Sequence, residues 1–281
     1  LCLKTRLCNQ VLAISISACL ASGAILATDV HQEHQIAKDI GTRINPNEAI
    51  WLETADFRFQ GLYREAVSKN VRGGVILLHG SHSHQDAADF IHPLRRGLPE
   101  HGWSSLSLAM PTSESGDLQS DANLLPEAIL RLHSGVAFLK PKNIGNIALL
   151  AHDTGAWAAL NYLAQSPDQA VKAVVLIDPA PIREPDPVPI SPDRLSTIRV
   201  PMLEILSSRL SVPIDEETSR KRTAMKTNSS YRLLVLNEPD HGWQDIEDFL
   251  INRVHGWLAS LQMSAGSDAA MLQKQYSVNQ K

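Results

Sequence analysis

Asp153 lies in the segment Asn146-Ile147-Ala148-Leu149-Leu150-Ala151-His152-Asp153-Thr154-Gly155-Ala156, where an apolar run breaks at small–x–acid–x–Gly and continues as an alanine-rich stretch. The pattern predicts a strand that turns sharply into a helix, with Asp153 at the bend. Ala151 and Gly155 are small because strand and helix nearly touch at such a turn. A carboxylate held up there can attack an electrophilic carbon, forming an ester that activated water then hydrolyses. Three more polar groups, His79, Asp178 and His241, fall at or just past the ends of other apolar runs. The backbone N–H groups of Ser81 and Thr154 follow His79-Gly80 and Asp153. Such donors, aimed at a developing negative charge, are typically worth about 3–4 kcal/mol each.

A second pattern competes. His82-Ser83-His84-Gln85-Asp86 reads His-x-His-x-Asp, and two neutral imidazoles with a carboxylate can hold zinc. The next ligand of that motif should be histidine, but Ala87 stands there. Metal-dependent hydrolysis through His82, His84 and Asp86 is therefore the lesser alternative to a polar loop at the rim of a cleft. Nothing else in the sequence asks for a cofactor or a resident metal.

The elements that must position these residues follow from periodicity. Residues 51–67 alternate in part, as an opening strand or hairpin does. Residues 73–79 form a short apolar run ended by Gly80, the look of a strand buried on both faces. Residues 86–98 have helical spacing, and residues 104–110 form a strand stopped by Pro111. A helix over 124–139 precedes the strand at 146. A helix over about 155–165 leads to a strand over 173–178. Residues 179–193 are too rich in proline for a helix. A strand over 200–206, a helix over 216–226, a strand over 231–236 and a helix over about 245–261 complete the series. Strands alternating with helices at this spacing predict a mostly parallel sheet covered on both faces. Ligands of such sheets bind at the carboxyl ends of the strands, where His79, Asp153, Asp178 and His241 are expected to converge.

Of the 281 residues, 43% are hydrophobic and 20% charged, which fits one large α/β domain. The formal net charge of -4 provides no basic field for nucleic acid, and Arg220-Lys221-Arg222 reads as a solvated helix face. The expected partner is a small molecule of unknown identity. Lys4 and Arg6 precede an apolar run from Val11 to Ala27, which predicts a secretory signal cut after Ala27 and an exported, periplasmic location. A membrane anchor is the competing expectation, although Ser15, Ser17, Ser22 and Gly23 interrupt a run that barely reaches a bilayer span. Lipidation at Cys19, within Ile16-Ser17-Ala18-Cys19, is the third. Cys2, Cys8 and Cys19 all lie in this segment, so the mature domain is expected to use no disulfide, thiolate metal site or cysteine nucleophile. The expected layout is a signal peptide over 1–27, a flexible lead-in over 28–46, one domain over 47–262 and a disordered tail over 263–281.

The bend at Asp153, with His79-Gly80 and this order of elements, resembles the nucleophile elbow and oxyanion loop of α/β-hydrolases. The resemblance implies an α/β-hydrolase fold and the chain order nucleophile, acid, histidine. Asp153 then takes the place usually held by serine, and His241 that of the base. Ser207-Ser208-Arg209 occupies the commonest place of the acid, which leaves Asp178, preferred here, or Asp215. The Ser81 and Thr154 amides would form the oxyanion hole. His152-Asp153-Thr154-Gly155-Ala156 is similar to the elbow of epoxide hydrolases, which, like haloalkane dehalogenases, use an aspartate nucleophile. Those enzymes carry tryptophan where Thr154 stands and His-Gly-x-Pro where this chain has His79-Gly80-Ser81-His82. They also insert a large cap after the sixth strand, and residues 179–193 are too short for one.

More widely, residues 51–261 resemble an uncharacterised family of bacterial, mostly exported, α/β-hydrolase-like proteins, known as a domain of unknown function. The matching features are Gly74-Val75-Ile76-Leu77-Leu78-His79-Gly80, Pro93-Leu94-Arg95, Gly102-Trp103, Met110-Pro111, Thr154-Gly155-Ala156 and Gly256-Trp257-Leu258. The elbow of that family often lacks serine. Two expectations follow: hydrolysis of a small ester-like or alkyl substrate by Asp153 and His241, or a catalytically degenerate fold that serves as a binding or envelope-associated protein.

Overall fold

The computed structural model describes residues 28–113, 115, 117–165, 167–180, 190–207, 223, 225–236 and 246–261. Eight strands form one sheet: β1 (Ala49–Glu53), β2 (Arg58–Arg64), β3 (Gly73–Leu78), β4 (Trp103–Leu108), β5 (Ile147–Asp153), β6 (Val171–Pro179), β7 (Met202–Ser207) and β8 (Tyr231–Leu236). Their order is β1-β2-β4-β3-β5-β6-β7-β8. β1, β2 and β4 pair antiparallel, and every other pair is parallel.

Side chains of β3 point alternately to two faces, and both are buried. Ile76 and Leu78 join a cluster with Leu108, Val136, Leu149 and Trp157. Val75 and Leu77 join a second cluster with Ile91, Leu94, Val175 and Val254. A parallel strand buried on both faces must be apolar throughout, which is why the run at 73–78 was legible. The helices that cover these faces include α2 (Ile91–Gly97), α4 (Leu125–Leu139), α5 (Gly155–Ala164) and the helix over 247–261. A short helix, α3 (Leu118–Asn123), precedes α4.

The lead-in corrects an expectation. Where composition suggested a flexible segment, residues Val30–Gly41 form helix α1. Asp29 caps it by accepting from the Gln32 N–H at 2.9 Å. Ala37 and Ile40 are buried on one side, and a fully buried isoleucine contributes about 1.5–3 kcal/mol. Glu33 meets Arg131 of α4 at 2.8 Å, and the Asp29 N–H donates to Thr112 O at 2.9 Å. Arg131 in turn donates to Ala109 O and lies over Phe57 and Phe59. The polar face of α1 hid an amphipathic helix whose partners lie far away in the chain. Among the described residues no helix is long and apolar enough to cross a membrane.

Chain direction through the sheet reverses at β3: β4 lies to one side of it and β5 to the other. A crevice opens at such a switch point, beyond the carboxyl ends of the strands. The segments that leave β3 and β5 there are His79-Gly80-Ser81 and Asp153-Thr154.

Candidate functional site

β5 pairs with β3 in register up to Ala151 opposite Leu78, and its pairing with β6 slips between His152 and Asp153. Asp153 then adopts φ 51°, left-handed backbone that is uncommon for a residue with a side chain. Thr154 follows as the N-cap of α5. The bend is possible because Gly155 lacks a side chain: a Cβ there would lie 2.6 Å from His79 O. Strain of this kind costs about 1–3 kcal/mol and persists where the surrounding structure enforces it.

The Ser81 N–H donates to Asp153 Oδ2 at 3.0 Å. Gly80 makes room for that carboxylate, and a methyl group on Gly80 would collide with it. The Ser81 hydroxyl donates to Asp121 Oδ2 in a short contact and lies 3.0 Å from Thr154 Oγ1. Ser113 Oγ donates to the other oxygen of Asp121 at 3.3 Å. Asp121 belongs to α3, and no periodicity or motif marked it in the sequence. Its place emerges only when the loop after β4 folds over the end of β3.

His79 is buried, and its Nε2 accepts from the Met110 N–H at 2.9 Å. That donor puts the ring proton on Nδ1, 2.9 Å from Gly80 O. Burial lowers the His79 pKa to about 4, so the ring is neutral at ordinary pH. It ties the loop after β3 to the loop after β4 and so holds Ser81 in place.

Asp178 stands at the end of β6, buried, with φ 39°. Its Oδ1 accepts from the Ser207 N–H at 2.7 Å, so it bridges the ends of β6 and β7. His241 and Asp215, and with them the choice between Asp178 and Asp215 as acid, lie outside the described residues.

The metal motif does not assemble. Asp86 Oδ1 is held by His92 at 3.0 Å and Arg95 at 2.9 Å, and Arg95 also pairs with Glu48. His84 Nδ1 accepts from the Asp86 N–H, and His82 is exposed with φ 55°. Among the described residues no three His, Cys, Asp or Glu side chains could share a metal ion. The Asp of His-x-His-x-Asp belongs to an ion network beneath the loop.

Beside the bend a cavity of about 230 Å³ lies between α1, the start of α4 and the start of α5. Ser81, Thr154 and Asp121 reach its wall, together with apolar residues such as Ile36, Leu125 and Trp157. Asp153 adjoins this wall through Thr154 and through its hydrogen-bond partner Ser81 but does not line it.

The family described as "Protein of unknown function (DUF3530)" matches residues 24–128 and 114–260. The chain belongs to that family. No curated protein matches the sequence significantly. Among solved structures, this DUF3530 chain is similar to the Pyrococcus furiosus esterase Pf2001, with 20% identity, a TM-score of 0.61, and coverage of 78% of this chain and 96% of that one. It is similar to Est1E from Butyrivibrio proteoclasticus, with 14% identity, a TM-score of 0.60 and coverage of 76% and 98%. A dienelactone hydrolase from Anabaena variabilis is 18% identical, with a TM-score of 0.56 and coverage of 73% and 94%. At these identities the likeness identifies the fold. The DUF3530 chain has the α/β-hydrolase fold.

Proposed function

We propose that this protein hydrolyses a small alkyl electrophile, such as an epoxide or a haloalkane, through a covalent ester on Asp153. The observation that carries the reading is the hydrogen bond from the Ser81 N–H to Asp153 Oδ2. In acyl transfer the oxyanion develops on the substrate, and the amide donor must be open to it. Here the enzyme's own carboxylate takes that donor. That arrangement suits a reaction in which the carbonyl under attack belongs to the enzyme.

The steps balance as follows. Asp153 Oδ1 attacks the substrate carbon, and a carbon–oxygen bond forms as the carbon–halogen bond, or the ring carbon–oxygen bond of an epoxide, breaks with its electron pair. Halide departs, whereas the epoxide oxygen stays on the alkyl group and takes a proton from water. Water, losing a proton to His241, then adds to Cγ of the Asp153 ester. The negative charge of that step develops on Oδ2, where the Ser81 amide waits and the Thr154 amide is the second expected donor. The Cγ–Oδ1 bond breaks, and the alcohol leaves with the proton from His241. Asp178 is assigned to orient His241. For an ester substrate the same carboxylate would instead orient the attacking water.

A second reading, a degenerate site that binds without turnover, draws support from the cavity, whose wall includes Ser81 and Thr154 but not Asp153. Export is part of either reading and rests on the basic, apolar and small-residue pattern of the first 27 residues. The periplasm as destination rests on the resemblance to exported bacterial proteins.

Single turnover in H₂¹⁸O tests the first reading. With epoxides, haloalkanes and activated esters as a panel, heavy oxygen should enter the Asp153 peptide, because the product alcohol carries away the original Oδ1. Label found only in product would reject the covalent route. Absence of turnover across the panel would favour the binding protein.

A further inference from the structure

The cavity under α1 divides by chemistry. Ile36, Leu124, Leu125, Ala128, Trp157 and Ala158 are its apolar lining. Ser81, Thr112, Ser113 and Thr154 contribute hydroxyl-bearing side chains. No lysine or arginine is among the described residues that line it, and its one carboxylate there is Asp121. Both Asp121 oxygens accept hydrogen bonds, from Ser81 and Ser113. Three imidazoles line it: His79 and His84, whose pKa burial lowers, and His82, which is exposed. An anionic ligand would therefore be desolvated beside a carboxylate with no fixed cation to offset it, and burying an unpaired charge is expensive. The volume of about 230 Å³ falls below the roughly 300–1,000 Å³ of drug-sized pockets, so the occupant is small.

We propose that this cavity binds a small neutral amphipathic molecule of the alcohol type. Its compact apolar end lies against Ile36, Leu125 and Ala128, and its hydroxyl meets Ser81 and Thr154. Helix α1 supplies the roof. Gln32 and Ile36 of α1 line the cavity, and Glu33, between them in the chain, holds the helix down through Arg131. As the site of the product alcohol the proposal rests on the Asp153 reading. As a binding pocket it stands apart from that reading.

The test uses the full chain and a matched pair of probes: benzyl alcohol and benzoate. Binding is followed by ligand-observed NMR titration. Benzyl alcohol should bind, with benzoate at least about tenfold weaker, a difference of 1.4 kcal/mol. Ile36→Trp fills the cavity from a partly exposed helix face and should weaken benzyl alcohol by a similar factor, with the circular dichroism spectrum unchanged. Ala128→Leu should do the same from α4. Ile36→Ala should admit 4-tert-butylbenzyl alcohol, which the native chain rejects. Equal binding of benzoate, or affinity untouched by both filling substitutions, would overturn the proposal. Alcohol binding without heavy-oxygen label in Asp153 retains the pocket and rejects the covalent reaction. Label without alcohol binding does the reverse.

Discussion

Ser81 and Asp153, separated by 72 positions in the chain, are joined by an amide-to-carboxylate hydrogen bond of 3.0 Å. Two adjacent parallel strands end there, so their exits meet across the switch point of the sheet. The bond divides the carboxylate into one oxygen that is held and one that is not bound by this donor. Asp153→Asn keeps the shape and should retain the fold, but an amide is a poor nucleophile. Turnover should fall by at least about 10³-fold, as expected when one member of a catalytic set is lost. His241→Ala should leave the first half-reaction intact and block the second. Mass spectrometry of that variant should then find the Asp153 peptide heavier by the alkyl group. Fast turnover of Asp153→Asn would remove Asp153 from the chemistry, and fast turnover of His241→Ala would remove His241 as the base.

Gly155 is required by the approach of two backbone segments rather than by its own dihedral angles. A Cβ at this position would lie 2.6 Å from His79 O and 2.7 Å from Leu78 O. Neither atom is the tip of a flexible side chain, so β3 or α5 must shift. Gly155→Ala should destabilise the protein by about 1–3 kcal/mol, the usual range for overpacking. The measurement is the urea midpoint, and an unchanged midpoint would mean that the bend is looser than described.

Some of this site was legible in sequence, and the reason is locality. β8 was expected over 231–236 and spans Tyr231–Leu236; α4 was expected over 124–139 and spans Leu125–Leu139. Both carry their burial pattern within one contiguous window. Ser81 and Asp153 were expected at one rim, because each follows or ends a recognisable strand, but it was not foreseen that the Ser81 amide donates to the Asp153 carboxylate. Asp121 was not legible, since its contact with Ser81 depends on a loop with no period of its own. Helix α1 was missed because only Ala37 and Ile40 are buried along it, and the anchor for Glu33 lies 98 positions away. The His-x-His-x-Asp spacing was set below a polar loop because Ala87 breaks it, but spacing alone did not reveal that Arg95 pairs with Asp86.

Glu33 should control the roof of the cavity. Arg131 is 1% exposed and is shared between Glu33 and Glu127. Glu33→Gln removes one charge while Glu127 remains, so the guanidinium is not left wholly unpaired. A loss of about 1–3 kcal/mol is expected, the range for a buried hydrogen bond to a charged group. Amide exchange over residues 30–41 should accelerate more than exchange in β3 or β5. Uniform acceleration would show that the pair supports the whole domain rather than α1.

His79 predicts a loss of stability in acid. Its folded pKa is lowered to about 4 by burial, against an ordinary value of 6.5. Between those values the unfolded chain binds a proton that the folded chain refuses, so stability rises with pH across this window. Above pH 6.5 the full contribution is present, and it is lost as pH falls toward 4. A shift of this size corresponds to roughly 3 kcal/mol at about 1.4 kcal/mol per pKa unit. His84 and His255 are also lowered by burial and act in the same direction. His79→Gln removes the titrating ring, and a long amide side chain can still accept from the Met110 N–H. The slope of unfolding free energy against pH between 4 and 6.5 should therefore shrink in the variant without vanishing. A slope identical to that of the native protein would mean that the imidazole stays protonatable in the fold, and that it does not tie the two loops together as a neutral strut.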